Sequence, residues 1–276
     1  MDKGLEDLES ELFTISFKYF NRFDNIGCDY LYHYTGESII FLIDLKGYFL
    51  FRMTNSDDLE DKSEGIYIED IYKKVINGFF NEKYINSCTF EILKNIKPFD
   101  KMLNKNKYGY IDKLSKFETY ILCLTSDGKS NYMFEHYNNK ENCKNICFES
   151  FLLNSHYLKI ENCDESKEPS FDFGIYKVIY NEDEQISILS NRLKEILNPY
   201  LKIKQPTKDE NNIISYYVSD LLKCLAFSFK KDCYSNEKEI RIVYRLSMDN
   251  VNYSKIVKKD ESNNKRYINL KIMKVP

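Results

Sequence analysis

The sequence predicts a single α+β domain, and three observations lead to that class. Short apolar runs typical of buried strands alternate with helical patterns of unequal length. These elements follow no regular βαβ order and show no internal repeat. Hydrophobic residues make up 43% of the 276 residues and charged residues 30%, which is typical of a globular protein. We therefore expect a core at about residues 30–246, after a helix at about 5–23 and before an extension at 247–276.

Helices are predicted wherever apolar residues recur at helical spacing. Leu5, Leu8 and Leu12 keep that spacing near the N-terminus, and Glu6 and Asp7 lie in the early turns, where the helix dipole favours acidic residues. Further helices are expected at 39–46, 131–137, 183–197 and 213–229, with two to four more between 66 and 117. The stretch 201–212 is expected to be an exposed loop.

Strands are predicted at short runs rich in aromatic and β-branched residues. The run Tyr-Ile-Leu-Cys-Leu-Thr at 120–125 is the clearest buried strand in the chain. Others are expected at 30–34, 48–53, 145–153, 175–180 and 240–246, and a final edge strand is expected at 267–275.

Charge and hydropathy narrow the choice of partners. The net charge of −3 gives no electrostatic footprint for duplex nucleic acid, so a nucleic-acid acceptor lacks support from charge. Two interpretations of the basic residues within 223–245 stand side by side: a local basic groove, or simply a solvated charged face. No apolar run approaches the length of a membrane span, and the acidic N-terminus is unlike a signal peptide. We expect a cytoplasmic protein without membrane contact.

Cysteine spacing and motif searches exclude several common classes of site. The eight cysteines form no C-x-x-C pair, and no His completes a zinc pattern around Cys143 and Cys147. We therefore expect no metal, and reduced, mostly buried thiols. The sequence also lacks a P-loop, a G-x-G-x-x-G, an H-E-x-x-H and a G-x-S-x-G motif.

Three features remain as candidates for a site, and each has a structural alternative. His33 ends a predicted strand, where it can hydrogen-bond a ribose hydroxyl or be a satisfied, partly buried histidine. Glu237 and Glu239 enter a predicted strand with one residue between them, which places both carboxylates on one face. One carboxylate would then stabilise positive charge at a ribose carbon and the other would orient a nucleophile. The alternative is an exposed charged turn with ion pairs to Lys238 or Arg241.

The third candidate is the 126–137 segment, which follows the clearest buried strand. Ser126 and Ser130 offer hydroxyl groups, and Tyr132 and Tyr137 offer rings on which a nicotinamide can stack. The alternative is ordinary packing of these rings in the core.

Four stretches in this order resemble an uncharacterised bacterial family that includes AbiGi-type abortive-infection proteins. Leu31-Tyr-His-Tyr-Thr is similar to the family's Y-H-Y-T-S, and the stretch from Phe51 to residue 65 is similar to a loop written F-N-D-P-x-E. The stretch from Cys123 to residue 137, with Cys147-Phe-Glu, resembles C-F-S…M-W-x-H-Y-A…G-V-C-I-x-F. The stretch from Phe227 to residue 243 is similar to F-x-x-K-x-x-x-W-x-x-E-x-E-W-R-I-V.

The chain departs from this pattern at three places. Phe134 stands where the family commonly has Trp, Asp57-Asp-Leu-Glu lacks the usual Pro, and Cys147 follows Asn-Ile instead of Gly-Val.

That family looks related to ADP-ribosyltransferases of the His-Tyr-Glu type, which implies a split mixed or antiparallel sheet with flanking helices. The resemblance implies that His33 binds ribose, that Tyr132 or Tyr137 stacks on nicotinamide, and that Glu239, or less strongly Glu237, is catalytic. The rest of the implied NAD pocket consists of Tyr34, Thr35, Ser126, Ser130, His136 and Arg241.

The function that follows is an NAD-dependent ADP-ribosyltransferase or NAD glycohydrolase in an anti-phage, abortive-infection or toxin–antitoxin setting, with NAD as substrate. One alternative is a non-catalytic protein of the same fold that binds a nucleotide signal, or an antitoxin that binds a protein partner encoded in the same defence operon. A nuclease or RNA-binding protein is a third hypothesis, against which the acidic charge balance argues.

Overall fold

A computed structural model describes residues 3–20, 26–35, 43–44, 48–59, 67–96, 117–137, 144–153, 157–163, 173–248 and 250–273. The chain divides into two compact units, each assembled from three separate stretches of sequence. Unit 1 comprises Met1–Asn21, Asp61–Ser115 and Ile179–Asp232, and unit 2 comprises Arg22–Glu60, Lys116–Val178 and Cys233–Pro276. Helices and an antiparallel sheet together confirm the α+β class. The single domain stays a prediction.

The described residues form seven α-helices and ten strands. The helices are α1 (Lys3–Phe20), α2 (Tyr67–Asn81), α3 (Ser87–Lys94), α4 (Asn131–Tyr137), α5 (Glu182–Leu201), α6 (Lys208–Ala226) and α7 (Tyr253–Ile256). The strands are β1 (Tyr30–Thr35), β2 (Ile43–Asp44), β3 (Tyr48–Asn55), β4 (Phe117–Thr125), β5 (Lys144–Glu149), β6 (Leu158–Ile160), β7 (Phe173–Lys177), β8 (Glu239–Ser247), β9 (Lys258–Lys259) and β10 (Arg266–Met273).

Unit 1 is built from α1, α2, α3, α5 and α6 around one apolar core. Leu12, Leu189 and Val218 are fully buried there, which places the apolar stripes of α1, α5 and α6 in a shared interior. Side-chain caps fix where the helices begin. Thr207 accepts from the backbone N–H of Glu210, whose carboxylate accepts in return from the Thr207 N–H, a capping box. The predicted loop at 201–212 is therefore wrong from Lys208 onward, since this box starts α6 there.

Unit 2 is built on one sheet in which every pairing between the described strands is antiparallel. The main strand order is β5-β1-β4-β3-β10-β6, with β8 on the other edge of β4 and β7 beyond β8. β8 pairs with β4 along its whole length. The opposite edge of β4 is divided, because β1 pairs at Thr125 and β3 pairs at Tyr120 and Ile121. This division places the start of the 126–137 segment beside both β1 and β8.

Three predicted elements of unit 2 differ from the structure. Ile43–Asp44 is a strand paired with β3, so the helix predicted at 39–46 is wrong at these two residues, and its other residues lie outside those described. The strand predicted at 145–153 ends at Glu149 and continues as a 3-10 turn, Ser150–Leu153. β10 pairs with β3, β6 and β9, so it is an interior strand instead of the predicted edge strand.

The interior of unit 2 lies against one face of this sheet. Alternate residues such as Phe51, Ile242 and Leu270 point into it, as the two-residue period of strands requires. The described cysteines are all free. The prediction that they are mostly buried is wrong, because only Cys224 is fully buried and Cys88, Cys147 and Cys233 are exposed.

One polar network in unit 2 joins four distant parts of the sequence. Glu118 on β4 accepts hydrogen bonds from the hydroxyls of Tyr120 and Tyr253 at 2.5 and 2.7 Å, and from the Arg266 guanidinium. Arg266 also donates to Asp58 through Nε at 3.0 Å and through its backbone N–H at 2.9 Å. The network holds the start of β10 against the end of β3 and the start of β4.

Within the described residues, no helix is both long and apolar enough to span a membrane.

Candidate functional site

The turn after β4 is fixed by hydrogen bonds from its own short side chains. The Asp127 N–H donates to Thr125 Oγ1 at 3.1 Å, and the Lys129 N–H donates to Asp127 Oδ1 at 3.1 Å. Ser130 Oγ then accepts from the Met133 N–H at 3.2 Å, which caps α4. Residues 126–130 are therefore a defined turn into a helix, as the Ser-Asp-Gly-Lys-Ser sequence predicts.

Tyr34 ties this turn to β1. Its hydroxyl donates to the Asp127 carbonyl at 2.9 Å and accepts from the Ser130 N–H at 3.2 Å. Its ring meets Phe134 of α4 edge to face, with 4.9 Å between centroids. Asn145 of β5 adds a hydrogen bond from Nδ2 to the Gly128 carbonyl at 2.6 Å. Tyr34 thus holds the turn and α4 against β1.

Gly128 lies directly against the ring of Tyr32. A Cβ at position 128 would stand 2.3 Å from Tyr32 Cε1, so any side chain there requires the ring to move. Glycine at 128 and the Tyr32 ring are therefore matched in shape. On the same ring, the pKa of the Tyr32 hydroxyl is raised mainly by a hydrogen bond with Cys147.

Glu237 and Glu239 are both buried, each with 5% of its surface exposed. Lys238 between them has a positive φ of 45°, a left-handed conformation that is uncommon for a residue with a side chain. Its ammonium group points to the surface and pairs with Asp127 Oδ2 at 2.9 Å. That hydrogen bond holds the pKa of Asp127 below its usual value. The alternative of an exposed charged turn is wrong about exposure, because Glu237 and Glu239 are both buried, but the ion pair to Arg241 that it named is present at Glu239.

Arg241 holds the Glu239 carboxylate in a two-bond fork. Its Nε donates to Oε1 and its Nη2 to Oε2, both at 2.9 Å. Arg241 is 1% exposed, so this ion pair is almost completely removed from water. A parallel fork fixes the orientation of a carboxylate more firmly than a single lysine contact does.

These groups surround a small cavity of about 50 Å³ on one face of the sheet. Its walls are formed by Tyr32, Tyr34, Cys123, Leu124, Met133, Glu237 and Glu239. Two carboxylates and two phenol rings thus meet at the point where β4 ends and β8 begins.

His33 is placed on the other face of β1. Successive side chains of a strand alternate, so His33 points away from Tyr32 and Tyr34. Its ring meets Phe51 edge to face at 5.5 Å, and Nδ1 lies 3.0 Å from the Cys123 carbonyl. Because a carbonyl oxygen only accepts, Nδ1 is the donor. Burial lowers the pKa of His33 and outweighs the opposing effect of this hydrogen bond.

The lowered pKa of His33 predicts a loss of stability in mild acid. In the unfolded chain His33 is protonated near pH 6.5, whereas in the folded chain it is protonated only at lower pH. The stability that neutral His33 contributes is therefore fully present above that pH and is lost as the pH falls below it. The slope for one group is at most about 1.4 kcal/mol per pH unit. We expect urea unfolding to show this loss between about pH 7 and pH 5.5.

His33→Asn is the matched control, because its amide can donate to Cys123 but does not titrate. We expect its stability to vary less over the same pH range. Equal slopes for the two proteins would rule out His33 as the source.

The remaining predicted site residues are placed as follows. Ser126 is exposed, and its backbone N–H donates to the Lys238 carbonyl at 3.3 Å, which joins the end of β4 to the start of β8. Tyr132 is half-buried on α4. The side chains of Thr35, His136 and Tyr137 lie outside those the structure describes.

Sequence reasoning missed Tyr32, Gly128 and Asp127. Tyr32 lies two residues before Tyr34 on the same strand and so faces the same way. Gly128 and Asp127 belong to the 126–137 segment that the sequence had already singled out. Among the described residues, no group of three or more His, Cys, Asp or Glu is placed to hold a metal ion.

Comparison with known proteins matches part of the chain to a protein family. No curated protein and no solved structure matches the chain. Residues 133–242, about two fifths of the chain, match a family described as a protein of unknown function (DUF2971). The matched stretch begins at Met133 of the cavity wall and includes Glu237, Glu239 and Arg241.

Proposed function

We propose that the cavity beside Glu237 and Glu239 binds the nicotinamide end of NAD⁺, and that the protein is an ADP-ribosyltransferase or NAD glycohydrolase. The observation that carries this proposal is the meeting of two buried carboxylates with Tyr32 and Tyr34 in one cavity. The divided edge of β4 supports the proposal of an ADP-ribosyltransferase-like split sheet. The AbiGi-type affiliation, and with it a role in abortive infection or a toxin–antitoxin pair, is proposed from the sequence resemblance.

The chemistry follows from the charges of the site. The bond between ribose C1′ and the nicotinamide nitrogen breaks, and its electron pair leaves with the nicotinamide ring, which becomes neutral. Positive charge then develops on the ribose. The Glu239 carboxylate, already oriented by Arg241, meets that charge without having to reorganise. An acceptor oxygen or nitrogen bonds to C1′ and gives its proton to Glu237.

Binding of a nucleotide requires more room than the cavity offers. Nucleotide-sized ligands usually occupy sites of about 300–1,000 Å³. We infer that the 126–137 segment moves outward to admit the ligand, which opens the exposed Lys238–Asp127 pair and the hydrogen bonds of the Tyr34 hydroxyl to Asp127 and Ser130. The rings of Tyr32 and Tyr34 then stack on nicotinamide. His33, on the other face of β1, is assigned to holding β1 against β4 through the Cys123 carbonyl.

The test is release of nicotinamide from NAD⁺ by the wild-type protein, followed by mass spectrometry. We expect free nicotinamide together with ADP-ribose, or with ADP-ribose bound to an acceptor. Unchanged NAD⁺ after prolonged incubation, both with water alone and with an added bacterial lysate as a source of acceptors, would contradict the enzyme.

A second candidate function is a non-catalytic protein that binds a nucleotide signal or a protein partner. The small cavity volume and the complete pairing of the Glu239 carboxylate with Arg241 favour it. This protein would bind NAD⁺ or a related nucleotide in calorimetry and leave it intact.

A further inference from the structure

The sheet of unit 2 has a second polar surface on β3, β10, β6 and β9, here called the outer face. Register places Arg52 opposite Asn269, and Lys271 opposite both Leu50 and Lys159, so these side chains share a face. Phe51, Leu270 and Ile160 point the other way, into the core. The outer face is therefore the side of these strands that the core does not cover.

Cations outnumber carboxylates among the described side chains of the outer face: Arg52, Lys159, Lys258 and Lys271 stand beside Glu161 and Asp260, and Asp260 pairs with Arg52 at 3.3 Å. Lys258 and Lys271 share one carboxylate, Glu161, at 2.6 and 3.5 Å. Partial burial raises the pKa of Glu161, but hydrogen bonds from Lys258 and Asn269 bring it down to about 2, so it stays ionised. The surface is locally basic although the whole chain has a net charge of −3.

Aromatic rings alternate with these cations. The Arg52 guanidinium lies 4.5 Å from the centre of the Tyr267 ring, and the Lys271 ammonium lies 6.0 Å from the centre of the Tyr48 ring. Tyr267 pairs across from Thr54, six residues along β3 from Tyr48, so the backbone positions of the two tyrosines are about 20 Å apart along the strands. Two aromatic platforms thus flank a central group of cations.

We propose that the outer face binds single-stranded nucleic acid, with phosphates held by Arg52, Lys159 and Lys271 and bases stacked on Tyr48 and Tyr267. Cations hold the backbone whatever its sequence, and a ring accepts the face of any unpaired base. Bases inside a duplex are already stacked, so the rings favour single strands. This function does not rest on NAD⁺ chemistry, and either proposal can fail without the other.

The experiment is fluorescence anisotropy of the full chain with labelled oligo(U) and oligo(dT) of about 12 nucleotides, against a duplex of the same length. We expect both single strands to bind more tightly than the duplex. Three phosphate contacts predict that the logarithm of the association constant falls with the logarithm of salt concentration with a slope of about −2. A preference for oligo(U) over oligo(dT) would identify the 2′-hydroxyl as a contact.

Variants separate the charges from the rings. Arg52→Gln with Lys271→Gln is expected to weaken binding at least about tenfold and bring the slope to about −0.7. Tyr267→Leu is expected to weaken binding about tenfold without changing the slope. Asp260→Asn removes the carboxylate 3.3 Å from Arg52, and we expect it to tighten binding about twofold.

Lys73→Gln with Lys94→Gln is the matched control, because it removes two exposed cations of unit 1 and changes the net charge equally. No anisotropy change with any strand at about 50 mM salt would overturn the proposal. An equal loss of affinity in the control pair would also overturn it. Equally strong competition by polyglutamate would assign the face to an acidic protein instead. NAD⁺ turnover by all these variants is expected to stay at the wild-type level.

Discussion

Replacing Arg241 by Met is expected to lower the free energy of unfolding by about 3–5 kcal/mol, because it leaves the Glu239 carboxylate buried without its cation. Both partners are nearly inaccessible to water, and both carboxylate oxygens are used by the fork. The measurement is urea unfolding followed by tyrosine fluorescence, which suits a chain with 23 Tyr and no Trp.

The same substitution at an exposed ion pair is the control. Arg52 pairs with Asp260 at 3.3 Å with about half of its side chain exposed, so Arg52→Met is expected to cost less than about 1 kcal/mol. Adding Glu239→Gln to Arg241→Met removes the buried negative charge and should recover about 2 kcal/mol of the loss. Simple addition of the two single effects would show that the two side chains are not coupled.

The sequence predicts the α+β class and most elements of unit 2, because strands such as β4 and β8 carry strong local patterns. It does not predict which strands lie at the edges. β10 alternates buried Ile268, Leu270 and Ile272 with polar residues, a pattern shared by edge and interior strands. Its interior place depends on pairing with β3, more than 200 residues earlier in the chain. The Glu118–Arg266 network is likewise invisible in sequence, because its members come from four separate segments.

The candidate site was predictable where its residues are close in sequence. Glu237 and Glu239 share one cavity, and Ser130 caps the helix that covers it. The sequence does not predict to which face of the sheet the His33 side chain points, because a residue at the end of a strand can point to either face. The alternation along β1 places Tyr32 and Tyr34 at the cavity and turns His33 to Phe51. The motifs therefore include several residues of the cavity wall, whereas the strand register decides which side chains reach the cavity.

Glu239→Gln is expected to lower kcat for nicotinamide release by about 10²–10³ and to leave the KM for NAD⁺ nearly unchanged. The amide keeps the shape of the side chain and one acceptor for Arg241, but it loses the charge that stabilises the developing cation. The assay measures nicotinamide by mass spectrometry, with the folded state of each variant checked by thermal unfolding. Glu149→Gln, on the exposed edge strand β5, is the matched control and should not change turnover.

Glu237→Gln distinguishes the roles of the two carboxylates. An oxocarbenium ion reacts readily with water, so a base adds little to hydrolysis, and we expect Glu237→Gln to reduce NAD⁺ hydrolysis less than Glu239→Gln does. Transfer to a less reactive acceptor needs proton removal, so there the Glu237 variant should lose more. The opposite order in hydrolysis would exchange the two assignments. Full activity in both variants would place the chemistry outside this cavity, because no other carboxylate lines its wall among the described residues.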